Sequence, residues 1–218
     1  MEGSRGLGDV YKRQVMTMNS KKLLVGLTGG IASGKSVALE FFRELGWKTI
    51  STDHIVADLF QKDESVRQSV KTKWGQRVFE RDEIEKSKIA EIIFNDQEEK
   101  NWLENLLHPL VRDVWMSAAK FSEEKKVVVE IPLLFEKNLQ SLFDITICII
   151  CTKNTQLQRL HDRGLTKPQS NARIKWQMAF SEKSRLADIV LLGDFSLLFL
   201  KQQVEYFHAK STLSLIHN

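Results

Sequence analysis

Eight residues, Gly29-Gly30-Ile31-Ala32-Ser33-Gly34-Lys35-Ser36, constrain this chain more than any other stretch. They fit the pattern G-x-x-x-x-G-K-[ST] throughout, and they stand in the right place. The apolar run KLLVGLT at 22–28 precedes them and reads as a buried parallel strand. After them, Val37, Ala38, Phe41, Phe42 and Leu45 recur at helical spacing, and Gly46 stops the pattern. Glycines between a strand and a helix let the backbone curl until successive N–H groups point at phosphate oxygens. The helix N-terminus adds positive potential at the same spot. The segment from Gly29 to Ser36, with the backbone of Val37, is therefore the expected cradle for ATP. Lys35 should meet the β- and γ-phosphates, and the Ser36 hydroxyl should hold Mg²⁺.

Composition supports one globular domain rather than a fibre, a membrane bundle or a disulfide scaffold. The chain has 218 residues, of which 42% are hydrophobic and 28% charged, with two cysteines. Charge interrupts every apolar stretch well short of a bilayer span, and no basic start with an apolar core marks a signal peptide. The cytoplasm is the expected compartment. A net charge of +4 suits a polyanionic small molecule among many other partners. Neither zinc-finger spacing nor an aromatic RNA-binding signature occurs, so no nucleic-acid partner is expected, and no membrane partner either.

The two ends read as foreign. Asp9 to Gln14 can be back-translated into DNA whose reverse complement encodes Leu-Ser-Leu-Ile-His-Ile, and the chain closes with Leu213-Ser214-Leu215-Ile216-His217. Residues 1–15 and 213–218 are accordingly expected to be translated adaptor sequence. A single domain would then occupy residues 16–212, with its natural start near Met16 or Met18.

Strands and helices alternate along the remainder. Trp47 to Ser51 reads as a second strand, and Asp53 is placed to cap a helix beginning at His54. From Ser65 to Phe121 the periodicity is helical throughout, with a break expected at His108-Pro109. KVVVEI at 126–131 and ITICIIC at 145–151 are further strands, and Ile189 to Leu192 a last one. Helices are expected over Thr155 to Arg163, Gln169 to Phe180 and Ser196 to Phe207, with Gly164 and Pro168 in a link. Such alternation implies a parallel sheet covered on both faces. Cys148 and Cys151 mimic a redox or zinc pair, but residues three apart in a strand point to opposite faces, so they read as packing cysteines.

A phosphate cradle alone does not separate a GTPase, a motor and a kinase. The guanine signature N-K-x-D and a D-x-x-G switch after a strand are missing, and the chain is short for a motor. A small-molecule kinase remains. The chain resembles the dephospho-CoA kinases from about Lys22 to Phe195. The resemblance rests on Leu27 to Ser36, Thr52-Asp53, Leu106-Leu107-His108-Pro109-Leu110, Ile131-Pro132-Leu133-Leu134-Phe135-Glu136, Gln156-Leu157-Gln158-Arg159, Arg163, Gln177 and Ala187-Asp188.

That resemblance implies a three-layer α/β P-loop NTPase fold with a parallel five-stranded sheet. The core would span 21–60 and 122–207, a helical insertion on the CoA side 61–121, and a small lid 159–183. It also implies ATP- and Mg²⁺-dependent phosphorylation of the 3′-hydroxyl of dephospho-CoA, by a monomer or weak homo-oligomer. Asp53, after the second strand, would be the base facing that hydroxyl, and Lys35 and Arg159 would be catalytic with it. Arg163, one helical turn beyond Arg159, would join it on phosphate oxygens. Thr28, Asp53, His108 and Arg159 would contact the acceptor. Glu130, ending a strand, would orient a magnesium-bound water. The chain departs from the family pattern at Ser51-Thr52, at Val37, at Arg163-Gly164 and at Gly193-Asp194. Two alternatives stand beside this reading: another P-loop kinase acting on a nucleoside or nucleotide, and an ATP-binding module without turnover. An acceptor panel separates them.

Overall fold

A computed structural model describes residues 22–216 of the chain. The proposed foreign N-terminal tail lies outside the described residues. At the other end the last helix continues to Ile216, and His217 and Asn218 lie outside.

Five parallel strands form the central sheet, in the order β2-β5-β1-β6-β7. They are β1 (Leu23–Gly29), β2 (Lys48–Ser51), β5 (Lys126–Glu130), β6 (Ile145–Ile150) and β7 (Ile189–Leu192). β1 lies in the middle, with Leu27 opposite Glu130 on one side and Ile147 on the other. The chain leaves β1 toward the β2 edge and later returns to build the β7 edge. That reversal makes the carboxyl end of β1 the switch point at which open α/β sheets bind ligands.

Both faces are covered, so the central strands β1, β5 and β6 are largely apolar without alternation, while the edge strands β2 and β7 are only part-buried. In β5, Val127 and Val129 join one core while Val128 joins the other. The second core is built by α1 (Lys35–Glu44) and α9 (Leu197–Ile216), with Ala38, Phe42, Val204 and Phe207 against the sheet. Trp47 sits edge-on to Phe42 and donates its indole N–H to His208 Nδ1 at 2.9 Å. The first core is built by α2 (Thr52–Lys62), α3 (Glu64–Trp74), α4 (Lys86–Asn95) and α5 (Gln97–Phe121).

Several elements differ from the sequence reading. The insertion is not helical throughout: a two-stranded antiparallel hairpin, β3 (Phe79–Glu80) and β4 (Glu83–Ile84), interrupts it. Its turn residues Arg81 and Asp82 have φ of 47° and 66°, a left-handed pair that usually announces itself with Asn-Gly. α5 runs unbroken through Pro109 for 25 residues. Leu103, Leu107, Val111, Trp115 and Ala119 keep one buried stripe through it, and that packing outweighs the lost backbone donor. The helix expected over Gln169 to Phe180 begins two residues early and ends at Lys175, as α7 (Lys167–Lys175), and a further helix, α8 (Phe180–Leu186), starts where it was expected to end. Pro168 lies in the first turn of α7, where its missing N–H costs nothing, and Thr166 and Gln169 close a capping box around it. α6 (Lys153–Asp162) begins two residues early because Thr152 caps it, accepting from Thr155 N at 3.2 Å. Cys151 lies one residue past β6; both thiols are free and buried, and burial pushes each up to about 11. No helix among the described residues is long and apolar enough to cross a membrane.

Candidate active site

The loop after β1 has the backbone a phosphate cradle needs. Gly29, Ala32 and Gly34 have φ of 149°, 60° and 110°. At Gly29 the requirement is also steric, because a Cβ would lie 2.4 Å from Ile149 O in the neighbouring strand. Lys35 is buried at the start of α1 and donates to Gly30 O at 2.9 Å, folding its side chain back over the loop. The neighbouring Ser36 is exposed.

Parts of the chain remote in sequence hold this loop. Gln156 Nε2 donates to Ile31 O at 2.8 Å, and Gln177 Oε1 accepts from Ile31 N at 2.7 Å. Arg159 donates to Ala32 O at 3.1 Å and to Gly193 O at 2.6 Å. Gly193 lies so close that a Cβ there would stand 2.1 Å from Ser33 O. The turn after β7 is therefore part of the loop's support. The Ser33 hydroxyl is buried without a hydrogen-bond partner.

A cleft of about 1170 Å³ opens from the loop between the sheet and the helical insertion. Residues 31–37, Thr52, Asp53, His108, Glu130 and Arg163 all line it. Asp53 is exposed in the first turn of α2; Ser51, not Asp53, is the N-cap. Thr52 sets this start by donating its hydroxyl to Glu130 O at 3.0 Å, so α2 is pinned to the end of β5. The three charges meet: burial holds the Lys35 ammonium below the ordinary lysine range, and the Glu130 and Asp53 carboxylates pull it partly back. Burial pushes the Glu130 carboxyl above its ordinary range, opposed by Lys35. His108 is held below its usual value by burial and by Lys137.

Two expected residues sit elsewhere. Thr28 is fully buried in β1, donates to Pro132 O at 3.2 Å and is not among the residues lining the cleft. Arg159 braces the loop and borders a smaller hollow of about 120 Å³ behind it, with Gly34, Gly193 and Phe195. Arg163 borders both cavities, so the expected pair of phosphate-facing arginines is divided between bracing and lining. Sequence reasoning gave no role to Gln156, Gln177 or Thr52, although all three stand within motifs that carried the family resemblance. Lys100 and Arg112 on the insertion, Lys137 after β5 and Arg173 on α7 also line the cleft and were missed, since isolated charged residues read as solvated faces.

The family model described as dephospho-CoA kinase matches residues 23–198. The chain belongs to the dephospho-CoA kinase family. The dephospho-CoA kinase of Trichormus variabilis is 36% identical over 185 residues, 84% of this chain and 94% of that protein. The dephospho-CoA kinase of Legionella pneumophila strain Paris is 35% identical over 188 residues, 85% and 94% of the two chains. Among solved structures, the Campylobacter jejuni dephospho-CoA kinase superposes with TM-score 0.64 at 27% identity, covering 88% of this chain and 98% of that one. A Thermus thermophilus protein superposes with TM-score 0.75 at 28% identity, covering 87% and 98%. A Bacteroides thetaiotaomicron shikimate kinase, with TM-score 0.51 at 15% identity, shares the fold alone and covers 87% and 98%.

The brace at Gly193 is testable in this dephospho-CoA kinase family member. Gly193→Ala forces a methyl against a backbone carbonyl, and overpacking of this kind costs about 1–3 kcal/mol. ATP affinity measured by calorimetric titration should fall by roughly tenfold, for a cost near 1.4 kcal/mol. Unchanged affinity would show that the loop does not depend on this contact.

Proposed function

We propose that this chain transfers the γ-phosphoryl group of ATP to the 3′-hydroxyl of dephospho-CoA, giving coenzyme A. The observation that carries the reading is that Asp53, Glu130 and Lys35 line one cleft, which joins the phosphate loop to the helical insertion, with their charges acting on one another. A kinase needs its donor cradle and its acceptor base on the same cavity, because phosphoryl transfer is governed by positioning and charge.

The nucleotide's phosphates fit the loop: the buried Ser33 hydroxyl is without a partner, and Lys35 folds back on Gly30 O, from which it can turn to a phosphate oxygen. Ser36 would hold Mg²⁺, with Glu130 behind it through water; the ion would neutralise charge developing on the phosphates. Among the described residues no group of three or more His, Cys, Asp or Glu could hold a metal ion. Asp53 would orient the acceptor hydroxyl and take its proton late in the transfer. Arg163 would face phosphate oxygens from the proposed lid at 159–183, and Arg159 would keep the loop in shape. His108 would touch the acceptor from α5. Both substrates are small molecules, and the chain would work in the cytoplasm as a monomer or weak homo-oligomer.

ADP release with a panel of acceptors tests the reading, and dephospho-CoA should stand out; a faster free nucleoside would favour a nucleoside kinase. Asp53→Asn keeps size and exposure, so the fold should survive. Its kcat is expected to fall about 10²- to 10⁴-fold, with ATP affinity little changed. Near-normal kcat would remove Asp53 from the chemistry.

The charges also set a pH profile. Lys35 must be protonated to bind phosphate, and its lowered pKa means that activity is lost early as pH rises. Glu130 must be ionised, and its raised pKa means that activity is lost early as pH falls. The plot of kcat/KM for ATP should be a bell narrower than ordinary glutamate and lysine would give, about pH 4.3 to 10.4. Glu130→Gln should move the acid limb to lower pH; an unmoved limb assigns it to another group.

A further inference from the structure

Lys183, on α8, is the most deeply buried charged residue described, with 0% exposure. Its Nζ donates to Pro132 O at 2.7 Å and lies 2.9 Å from Glu136 Oε1. Glu136 Oε1 also accepts from Met178 N at 2.9 Å, while Oε2 is buried without a hydrogen-bond partner. A buried ion pair with one oxygen unsatisfied is a poor way to stabilise a fold, since a well-packed apolar pair commonly does as well or better.

What this network does is join the segments around the reacting groups. Pro132 follows Glu130 by two residues, and its carbonyl also receives the Thr28 hydroxyl from the end of β1. Met178 follows Gln177, whose side chain holds Ile31 N in the phosphate loop. Phe180, at the start of α8, lies against Gly30, where a Cβ would come within 2.6 Å of its ring. The Lys183 charge also reaches Lys35 and helps to hold that ammonium down.

We propose that Lys183 and Glu136 are positioning residues for phosphoryl transfer: their buried pair fixes the root of the 159–183 segment to the loop leaving β5, and through Gln177 it sets the phosphate loop in its ATP-receiving shape. Neither residue lines the cleft, so both act through others. This goes beyond the assignment of the reaction, and turnover of dephospho-CoA by the parent chain, measured first, separates the two.

A pair of variants distinguishes positioning from packing. Lys183→Met strands the Glu136 carboxylate, so both melting temperature and activity should fall. Lys183→Met with Glu136→Gln removes the stranded charge and leaves an amide oxygen for Met178 N. The melting temperature of this double variant should return close to the parent's. Its kcat/KM for ATP should stay down about tenfold or more, while KM for dephospho-CoA moves less than about twofold. Hydrogen exchange at the Ile31 and Met178 amides should be faster than in the parent. Activity returning together with stability, equal losses for both substrates, or unchanged exchange at Ile31 would overturn the proposal. Should neither lysine variant fold, Glu136→Gln alone must show the ATP-selective loss and the faster exchange, and normal kinetics there would overturn it equally.

Discussion

The structure depends on how the Ile31 peptide is held. A cradle that offers N–H groups to phosphate must keep an irregular backbone in shape before the ligand arrives, and its own short-range bonds are few: Ser33 N reaches Gly30 O at 3.2 Å, and Lys35 folds back to the same carbonyl. The rest of the rigidity is imported. Gln156 and Gln177 take the two polar groups of Ile31, and Arg159 ties Ala32 to Gly193. These partners come from α6, the turn before α8 and the turn after β7, all at least 120 residues downstream. The loop is therefore finished only when β6 and β7 have joined the sheet, so the nucleotide site and the completed fold form together.

This dependence explains which parts were legible in the sequence. The phosphate loop was, because its glycines obey local steric rules that need no tertiary knowledge. The central strands β1, β5 and β6 were, because burial on both faces leaves apolar runs; the edge strands β2 and β7 are shorter and only part-buried. Asp53 was placed in the site by its position after β2, although its role as a cap was misjudged; Thr52, one residue earlier, makes the anchoring bond to Glu130 O instead. The β3–β4 turn was not legible, since Glu80-Arg81-Asp82-Glu83 carries helix-compatible charges and no glycine. Nor was the continuity of α5: a proline normally argues for a break, and only the stripe from Leu103 to Ala119 shows why the helix persists. Gly193 looked like a mere departure from a family turn. Its contact with Ser33 O joins residues 160 positions apart, which no local pattern reports.

The cleft carries a similar lesson about charge. Six basic side chains line it (Lys35, Lys100, Arg112, Lys137, Arg163 and Arg173) against four acidic ones, Asp53, Glu104, Asp113 and Glu130. A modest net charge is thus gathered where two polyanionic substrates would meet. The cations are not left loose. Glu104 accepts from Lys137 at 2.7 Å and lies 4.0 Å from Lys100. Lys100 stands 4.3 Å from the Trp176 ring, which itself lies 4.5 Å from Phe94. Arg173 lies 5.3 Å from the Phe94 ring. These contacts run from α4 and α5 to the end of α7, so the proposed lid and the insertion touch through cations resting on aromatic faces. Such contacts are worth about 0.5–2 kcal/mol each. Each is weak enough to part without great cost, and their cations are already turned toward the cavity. An anion entering between them would draw the same side chains away from the rings and toward itself. Binding the acceptor and rearranging the proposed lid would then be one electrostatic event, in which cation–π contacts are exchanged for stronger charge-assisted bonds to phosphate.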